Sequence, residues 1–246
     1  MKIFRADLHI HTVLSPCGDL DMSPVNIVNE AAKKGLDIIG ITDHNSTRHC
    51  NLISRLAAEK GIFVMQGAEI TTKEEVHCLA FFENTDALNL FQEFLDANLP
   101  DILNNPEKFG YQVQVDENDI VIFEEKRLLI NAISKSFEEV EAFVHSLKGI
   151  FIPAHIDRMK NSIYSQLGFL PENMKADALE ISALSTPAKF AAIHPEVKEF
   201  SLTRSSDAHF PDYIGKVFTD FSIEKRSFSE IKMALKGTDG RKIITE

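Results

Sequence analysis

Asp7-Leu8-His9-Ile10-His11-Thr12 follows a short lead, Lys2-Ile3-Phe4-Arg5-Ala6, and decides how the rest of the chain is read. The lead predicts a β-strand that delivers two histidines to its carboxyl end. Residues two apart in an extended chain point to the same face. His9 and His11 therefore converge, and Ile10 turns away. Two neutral imidazoles side by side suit a divalent metal ion. The plainer alternative is a pair of surface histidines at a strand end. The choice depends on whether other strands end in the same way.

They do. Leu36 to Thr42 is a near-continuous apolar run, of the kind buried on both faces, and it ends in Thr42-Asp43-His44-Asn45. Ile62 to Gln66 leads to Gly67-Ala68-Glu69-Ile70, and Val76 to Phe82 carries His77. Ile150 to Ala154 runs into His155, and Ala178 to Ile181 is a further strand. Phe200 to Thr203 leads to Ser205-Ser206-Asp207-Ala208-His209, and Val217 to Phe221 is the last strand expected. Six of the nine histidines thus fall at or in apolar runs. His49, His145 and His194 fall in predicted helices or their edges and read as structural.

Helices fill the gaps. Ser23-Pro24 supplies an N-cap and a first-turn proline, and Gly35 ends that helix. Further helices are expected at His49 to Lys60, Asp86 to Asn98 and Ser227 to Leu235, and after the capping box Ser136-Phe137-Glu138-Glu139. The alternation predicts an α/β fold, a parallel sheet with crossover helices. In such a barrel the strand ends meet at one face, where active sites sit. Pro100 to Glu125 breaks the rhythm with a hairpin around Asp116-Glu117-Asn118-Asp119. It reads as an insertion or lid, at about residues 100–125, within a single domain spanning 1–246.

Composition narrows the function classes. Hydrophobic content of 44% and charged content of 26% are those of an ordinary globular chain. No apolar run approaches bilayer length, and the first residues have neither the apolar core nor the cleavage site of a signal peptide. Cys17, Cys50 and Cys78 show no framework spacing, which fits a reducing, cytoplasmic compartment. Cys17 and Cys78 read as small buried residues rather than metal thiolates. A net charge of −11 speaks against extended nucleic-acid or anionic-membrane binding. It leaves a small anionic substrate open, because bound metals invert the local field.

Taken in order, Asp7-Leu8-His9-Ile10-His11-Thr12, Ile41-Thr42-Asp43-His44-Asn45, Gly67-Ala68-Glu69-Ile70, Pro153-Ala154-His155-Ile156-Asp157-Arg158 and Ser206-Asp207-Ala208-His209 resemble the successive motifs of the PHP (polymerase and histidinol phosphatase) family. The resemblance implies a distorted seven-stranded β/α barrel, related to the TIM barrel, with two or three divalent metals. Carried over by position, it implies one metal on His9, His11, Glu69 and Asp207. A second would sit on Glu69, His77 and His155, with Glu69 bridging. A third would sit on Asp19, His44 and His209. Asp19 is preferred to Asp21 because its spacing to Pro24 suits the family pattern. Relatives usually place this carboxylate closer behind the second histidine; here Ser15-Pro16-Cys17-Gly18 lengthens the loop. Asp43 is assigned to orienting an imidazole through its other N–H; a direct metal bond and a strand-end cap are the competing readings.

Mixed imidazole and carboxylate ligation suits Mn²⁺, Fe²⁺ or Zn²⁺ without choosing among them. Such metals, about 3.5–4 Å apart, would clamp a phosphoryl group and supply a hydroxide nucleophile. Arg158 stands where phosphatase relatives contact substrate phosphate, a task that suits a planar guanidinium. Relatives often have Pro-Gly where Ile156-Asp157 stand, and Asp157 would repel a phosphate unless it points away or pairs with Arg158. The expected activity is hydrolysis of a phosphate ester of a small metabolite or nucleotide. An oligonucleotide exonuclease of the polymerase-associated kind and a non-catalytic metal-binding module are the alternatives.

Overall fold

The computed structural model of the chain describes residues 1–244. Strand β1 (Lys2–Ile10) lies in parallel beside β2 (Ile38–Ile41), and β2 beside β3 (Phe63–Thr71). Helices α1 (Pro24–Lys33) and α2 (Cys50–Glu59) make the crossovers. The Ser23 side chain caps α1, with Pro24 opening it, and Gly35 follows with φ 69°, a value glycine takes without a Cβ penalty.

The parallel rhythm expected from the sequence then breaks at β4 (His77–Phe82). This strand pairs antiparallel with β3 and with β7 (Ile150–Pro153). The reason is the connection: Thr72 to Val76 is too short for a crossover helix, so the chain can only turn back. Helix α3 (Thr85–Asn98) follows β4. The expected insertion carries α4 (Pro106–Phe109) and a two-stranded hairpin of β5 (Val113–Val115) and β6 (Val121–Glu124). Helix α5 (Phe137–Ser146) opens on the expected capping box, with Ser136 and Glu139 each satisfying the other's backbone N–H.

The ring closes through strands too short for a continuous ladder. After β7 come α6 (Ile163–Leu167), β8 (Leu179–Ile181), α7 (Pro187–Ile193) and β9 (Leu202–Arg204), and β8 pairs in parallel with β9. Asp177 N–H to Phe151 O (2.9 Å) and Ile156 N–H to Glu180 O (2.9 Å) join β7 to β8. Ala208, just past β9, bridges back to Ile10 of β1. The result is the distorted seven-stranded β/α barrel. Beyond it, β10 (Thr219–Ile223) and β11 (Lys242–Ile244) extend the sheet antiparallel along β1, on either side of helix α8 (Phe228–Leu235).

Two apolar clusters hold the fold. The larger lies between the strands and α1, α2, α3 and α5, with Ile10, Ile39, Ile41, Phe91, Val140 and Phe151 among its members. The smaller gathers Ala6, Leu8, Ile38, Leu79, Phe81 and Ile152 with Phe228 and Ile231 of α8. Helix α8 therefore plugs one end of the barrel, leaving the other end for chemistry. Among the described residues no helix is long and apolar enough to cross a membrane.

Glycine is required where β3 passes β4. A Cβ on Gly67 would collide with the backbone carbonyl of Ala80. Gly67→Ala is expected to cost about 1–3 kcal/mol through forced strand displacement. Urea unfolding measures it, and an unchanged midpoint would contradict the close approach.

Candidate metal centre

The open end of the barrel collects the polar residues. His9 is in β1, and the β1–β2 pairing slips between Asp7 and Ile10, an irregularity of the kind that re-aims side chains next to active sites. Ile10 joins the outer core while His9 and His11 turn inward, fully buried. His44 follows β2, Glu69 lies within β3, and His155 follows β7. Asp207 and His209 follow β9. His77 shows why β4 matters: in a reversed strand the first residue, not the last, reaches this face, and His77 pairs with Thr71.

Glu69 is the hub. Its carboxylate lies 2.8 Å from His77 Nδ1, 3.0 Å from His155 Nε2 and 3.1 Å from His44 Nδ1. His11 Nε2 is at 3.3 Å and His9 Nε2 at 3.4 Å. Burial opposes the ionisation of Glu69, but His77, His9 and His44 outweigh it and hold its carboxyl well below the usual range. Asp207 faces the same group: Oδ1 is 3.3 Å from both His9 Nε2 and His11 Nε2. Buried Asp7 anchors this segment to β1, accepting the N–H groups of Ser206 (3.0 Å) and Gly215 (2.7 Å). His155 and Asp207 both hold positive φ, 31° and 50°. Such strain in side-chain-bearing residues clusters at functional sites.

The outer nitrogens of three of the histidines are engaged elsewhere. His9 Nδ1–H donates to Glu180 Oε2 (3.0 Å), His11 Nδ1–H to Ser15 Oγ (3.0 Å) and His209 Nδ1–H to the Asp207 carbonyl (2.9 Å). Each of these imidazoles therefore turns its Nε2 inward, where it takes up either a proton or a cation. The Nε2 atoms of His9 and His11 are only 3.1 Å apart. Two lone pairs at that distance repel unless a proton or a cation lies between them. Asp207 Oδ1 and His44 Nδ1, both buried, have no hydrogen-bond partner. Three groups bring their donor atoms within 4.8 Å of one another: His9, His11 and Glu69; His44, Glu69 and His77; and His11, His44 and His209. Buried nitrogen and oxygen donors without hydrogen-bond partners fit divalent cations.

Other expected residues fall differently. Asp19 donates its N–H to the His209 carbonyl, but its carboxylate accepts from Asp21 N–H and joins none of the three donor groups. Cys17 Sγ lies 3.1 Å from His209 Nε2, but it too joins none of the three donor groups. Asp43 does not touch a converging imidazole. It accepts from Thr12 N–H, Thr12 Oγ1 and Ser15 Oγ, and reaches His11 only through Ser15. Arg158 pairs with Asp207 Oδ2 (2.5 Å), while Asp157 turns away to accept from Ser182. Glu180, which orients His9 and also accepts His155 N–H, was missed. Its signal was a carboxylate in the otherwise apolar strand Ala178-Leu179-Glu180-Ile181.

The PHP domain model matches residues 7–166. The chain belongs to the PHP domain family. It is 25% identical to the uncharacterized protein YqxK of Bacillus subtilis over 280 residues, 99% of this chain and 65% of YqxK. Its fold is similar to that of the lesion-specific endonuclease Q of Pyrococcus furiosus, with a TM-score of 0.72 and 23% identity over 98% of this chain. A second endonuclease Q structure, with a 27-mer duplex carrying an abasic lesion at the active site, matches at 0.71. In both the chain spans 58% of the endonuclease. A Bifidobacterium adolescentis protein thought to be a metal-dependent phosphoesterase matches at 0.54 and 22% identity, over 84% of this chain and 88% of that one.

The carboxylates give the metal-free site a signature. Burial alone would depress His11, but the Asp207 and Glu69 carboxylates, each 3.3 Å from its Nε2, prevail and raise it to about 9. His9 is likewise raised, against burial, by Asp207, Glu180 and Glu69. His209 is lowered to about 4, by burial and then by His11. A raised folded-state value contributes stability that is complete below the unfolded value of 6.5 and lost as pH rises through about 9. The metal-free protein is therefore expected to lose thermal stability across that window. Metal loading at pH 7 should release protons, measured by calorimetry in buffers of different ionisation enthalpy. Loading without proton release would contradict this electrostatic balance.

Proposed function

We propose that this chain is a metal-dependent phosphoesterase that hydrolyses a phosphate ester of a small metabolite or nucleotide. One observation carries the reading: His9, His11 and His209, each with Nδ1–H tied outward, turn their Nε2 atoms onto Glu69, Asp207 and Cys17. His9, His11, Glu69 and Asp207 would hold one divalent ion. Glu69, His77 and His155 would hold a second, and His44 and His209, with His11 beside them, a third. When bound, such ions neutralise phosphoryl oxygens and activate water near neutral pH. Mn²⁺, Fe²⁺ and Zn²⁺ all suit nitrogen and oxygen donors. Three cysteines without a disulfide suit a cytoplasmic setting.

The protein's own groups bind and orient the substrate. Arg158, on the rim with its guanidinium on Asp207, is placed to take a phosphate oxygen. Asp157 is held away by Ser182, so its own carboxylate does not oppose the incoming anion. Next to Arg158 is a cavity of about 350 Å³ lined by His77, His155, Met159, Lys160, Asn161 and Leu184. Its mix of cationic and apolar walls suits a compact phosphate ester.

A second reading is cleavage of a nucleic-acid strand, favoured by the likeness to endonuclease Q along 98% of this chain. The net charge of −11 opposes it, because a strand needs a basic track. One panel separates the two: nucleotides, sugar phosphates and histidinol phosphate against single-stranded and abasic duplex DNA, all with Mn²⁺. Turnover of a small ester is expected, lost in His9→Ala and Asp207→Ala. Arg158→Ala should lower kcat/KM about 10–100-fold, the worth of a charge-assisted hydrogen bond of about 1.5–3 kcal/mol. Retained turnover in both His9→Ala and Asp207→Ala would overturn the metal mechanism. Cleavage of DNA alone would establish the second reading.

A further inference from the structure

We propose that His49 is a positioning residue that couples docking of the β5–β6 hairpin to the metal-binding nitrogen of His11. The proposal rests on the metal-centre reading above. His49 is fully buried at the start of α2 and touches none of the converging donors directly. It stands instead in an unbroken chain of buried hydrogen bonds. Val115 N–H of β5 donates to His49 Nε2 (3.0 Å). Val115 N can only donate, so His49 Nε2 accepts and the ring proton sits on Nδ1. That N–H donates to Thr12 Oγ1 (2.6 Å), and the Thr12 hydroxyl donates to Asp43 Oδ2 (2.8 Å). Asp43 Oδ1 accepts from Ser15 Oγ (2.7 Å). Ser15 Oγ then accepts from His11 Nδ1–H (3.0 Å), which leaves His11 Nε2 facing Glu69 and Asp207.

The direction of every donor is fixed from both ends. The backbone N–H sets one end; the carboxylate, which only accepts, sets the middle. Burial lowers the His49 pKa more than nearby Asp43 raises it, so the ring stays neutral, as a group that both donates and accepts must be. Other contacts seat the insertion on the same side: Gly110 packs on the Pro16 carbonyl, and Gln114 donates to Arg48 O (3.2 Å) beside His49. The insertion thus acts on the site from behind, through Thr12 and Ser15, rather than as a cover over it. Outer partners of metal-binding histidines typically contribute 10–100-fold to metal affinity.

Coupling between two events is reciprocal. If the docked hairpin favours metal on His11, metal must favour the docked hairpin by the same factor. The first measurement is hydrogen exchange at Val115 N–H in the wild-type protein, with and without Mn²⁺. Metal is expected to slow exchange at Val115 about 10-fold, and Ser15→Ala, which cuts the chain between Asp43 and His11, to abolish the slowing. His49→Phe should weaken Mn²⁺ binding about 10-fold in chelator competition, while its fold is checked by circular dichroism. A merely structural His49 would lower Tm and leave both readouts unmoved. Metal binding that leaves Val115 exchange unchanged overturns the coupling while the metal centre stands. Failure of the wild-type protein to bind Mn²⁺ overturns the metal-centre reading itself. Should His49→Phe not fold, the exchange comparison between wild type and Ser15→Ala decides alone.

Discussion

One buried carboxylate organises this protein. Glu69 sits 1% exposed in the middle of β3, with nitrogens of His9, His11, His44, His77 and His155 within 3.4 Å. An ionised carboxylate with no counter-charge is among the costliest groups to bury. The imidazoles alone do not settle the matter, since several turn lone pairs rather than protons inward. The barrel therefore encloses a place that only protons or cations can fill, and the two compete for it. Around that requirement the strands are cut to length: β1 slips in register, β4 reverses, and His155 and Asp207 take strained backbone angles to point inward.

The supporting interactions divide by side. On one side Glu180 holds His9 by its Nδ1 and the His155 backbone by its N–H, linking β8 to β1 and β7. On the other, Asp43 gathers Thr12 and Ser15, and Asp7 gathers Ser206 and Gly215. Each of these carboxylates is buried and accepts from backbone as well as side chain, so each fixes the loop it touches, and Glu180 also fixes the His9 ring. Preorganisation of this kind is what a multinuclear site needs, because misplaced ligands cost affinity at every ion they share.

Much of this was legible in the sequence. Period-two placement of His9 and His11, and polar residues recurring at the ends of apolar runs, gave the converging face and most of the donor set. The reversal of β4 was not recognised, although the short Thr72 to Val76 link forbids a crossover helix. His77 was still found, because its place at the start of an apolar run puts it on the right face in a reversed strand. Asp19 and Cys17 lie in one irregular loop, where spacing cannot say which side chain turns inward. Glu180 was not singled out, since a single carboxylate in a three-residue strand carries no periodic signal. His49 looked like an ordinary helix-edge residue, because its partners are up to 66 positions away.

The central claim is that the cluster around Glu69 is a metal centre, and crystallography on protein purified without chelators and supplied with Mn²⁺ tests it most directly. Anomalous difference maps at the manganese edge should show at least two peaks, with Glu69 between them and His9, His11, His77, His155 and Asp207 around them. A map without peaks, with the imidazoles still bonded to Glu69 and Asp207 by protons alone, would contradict it.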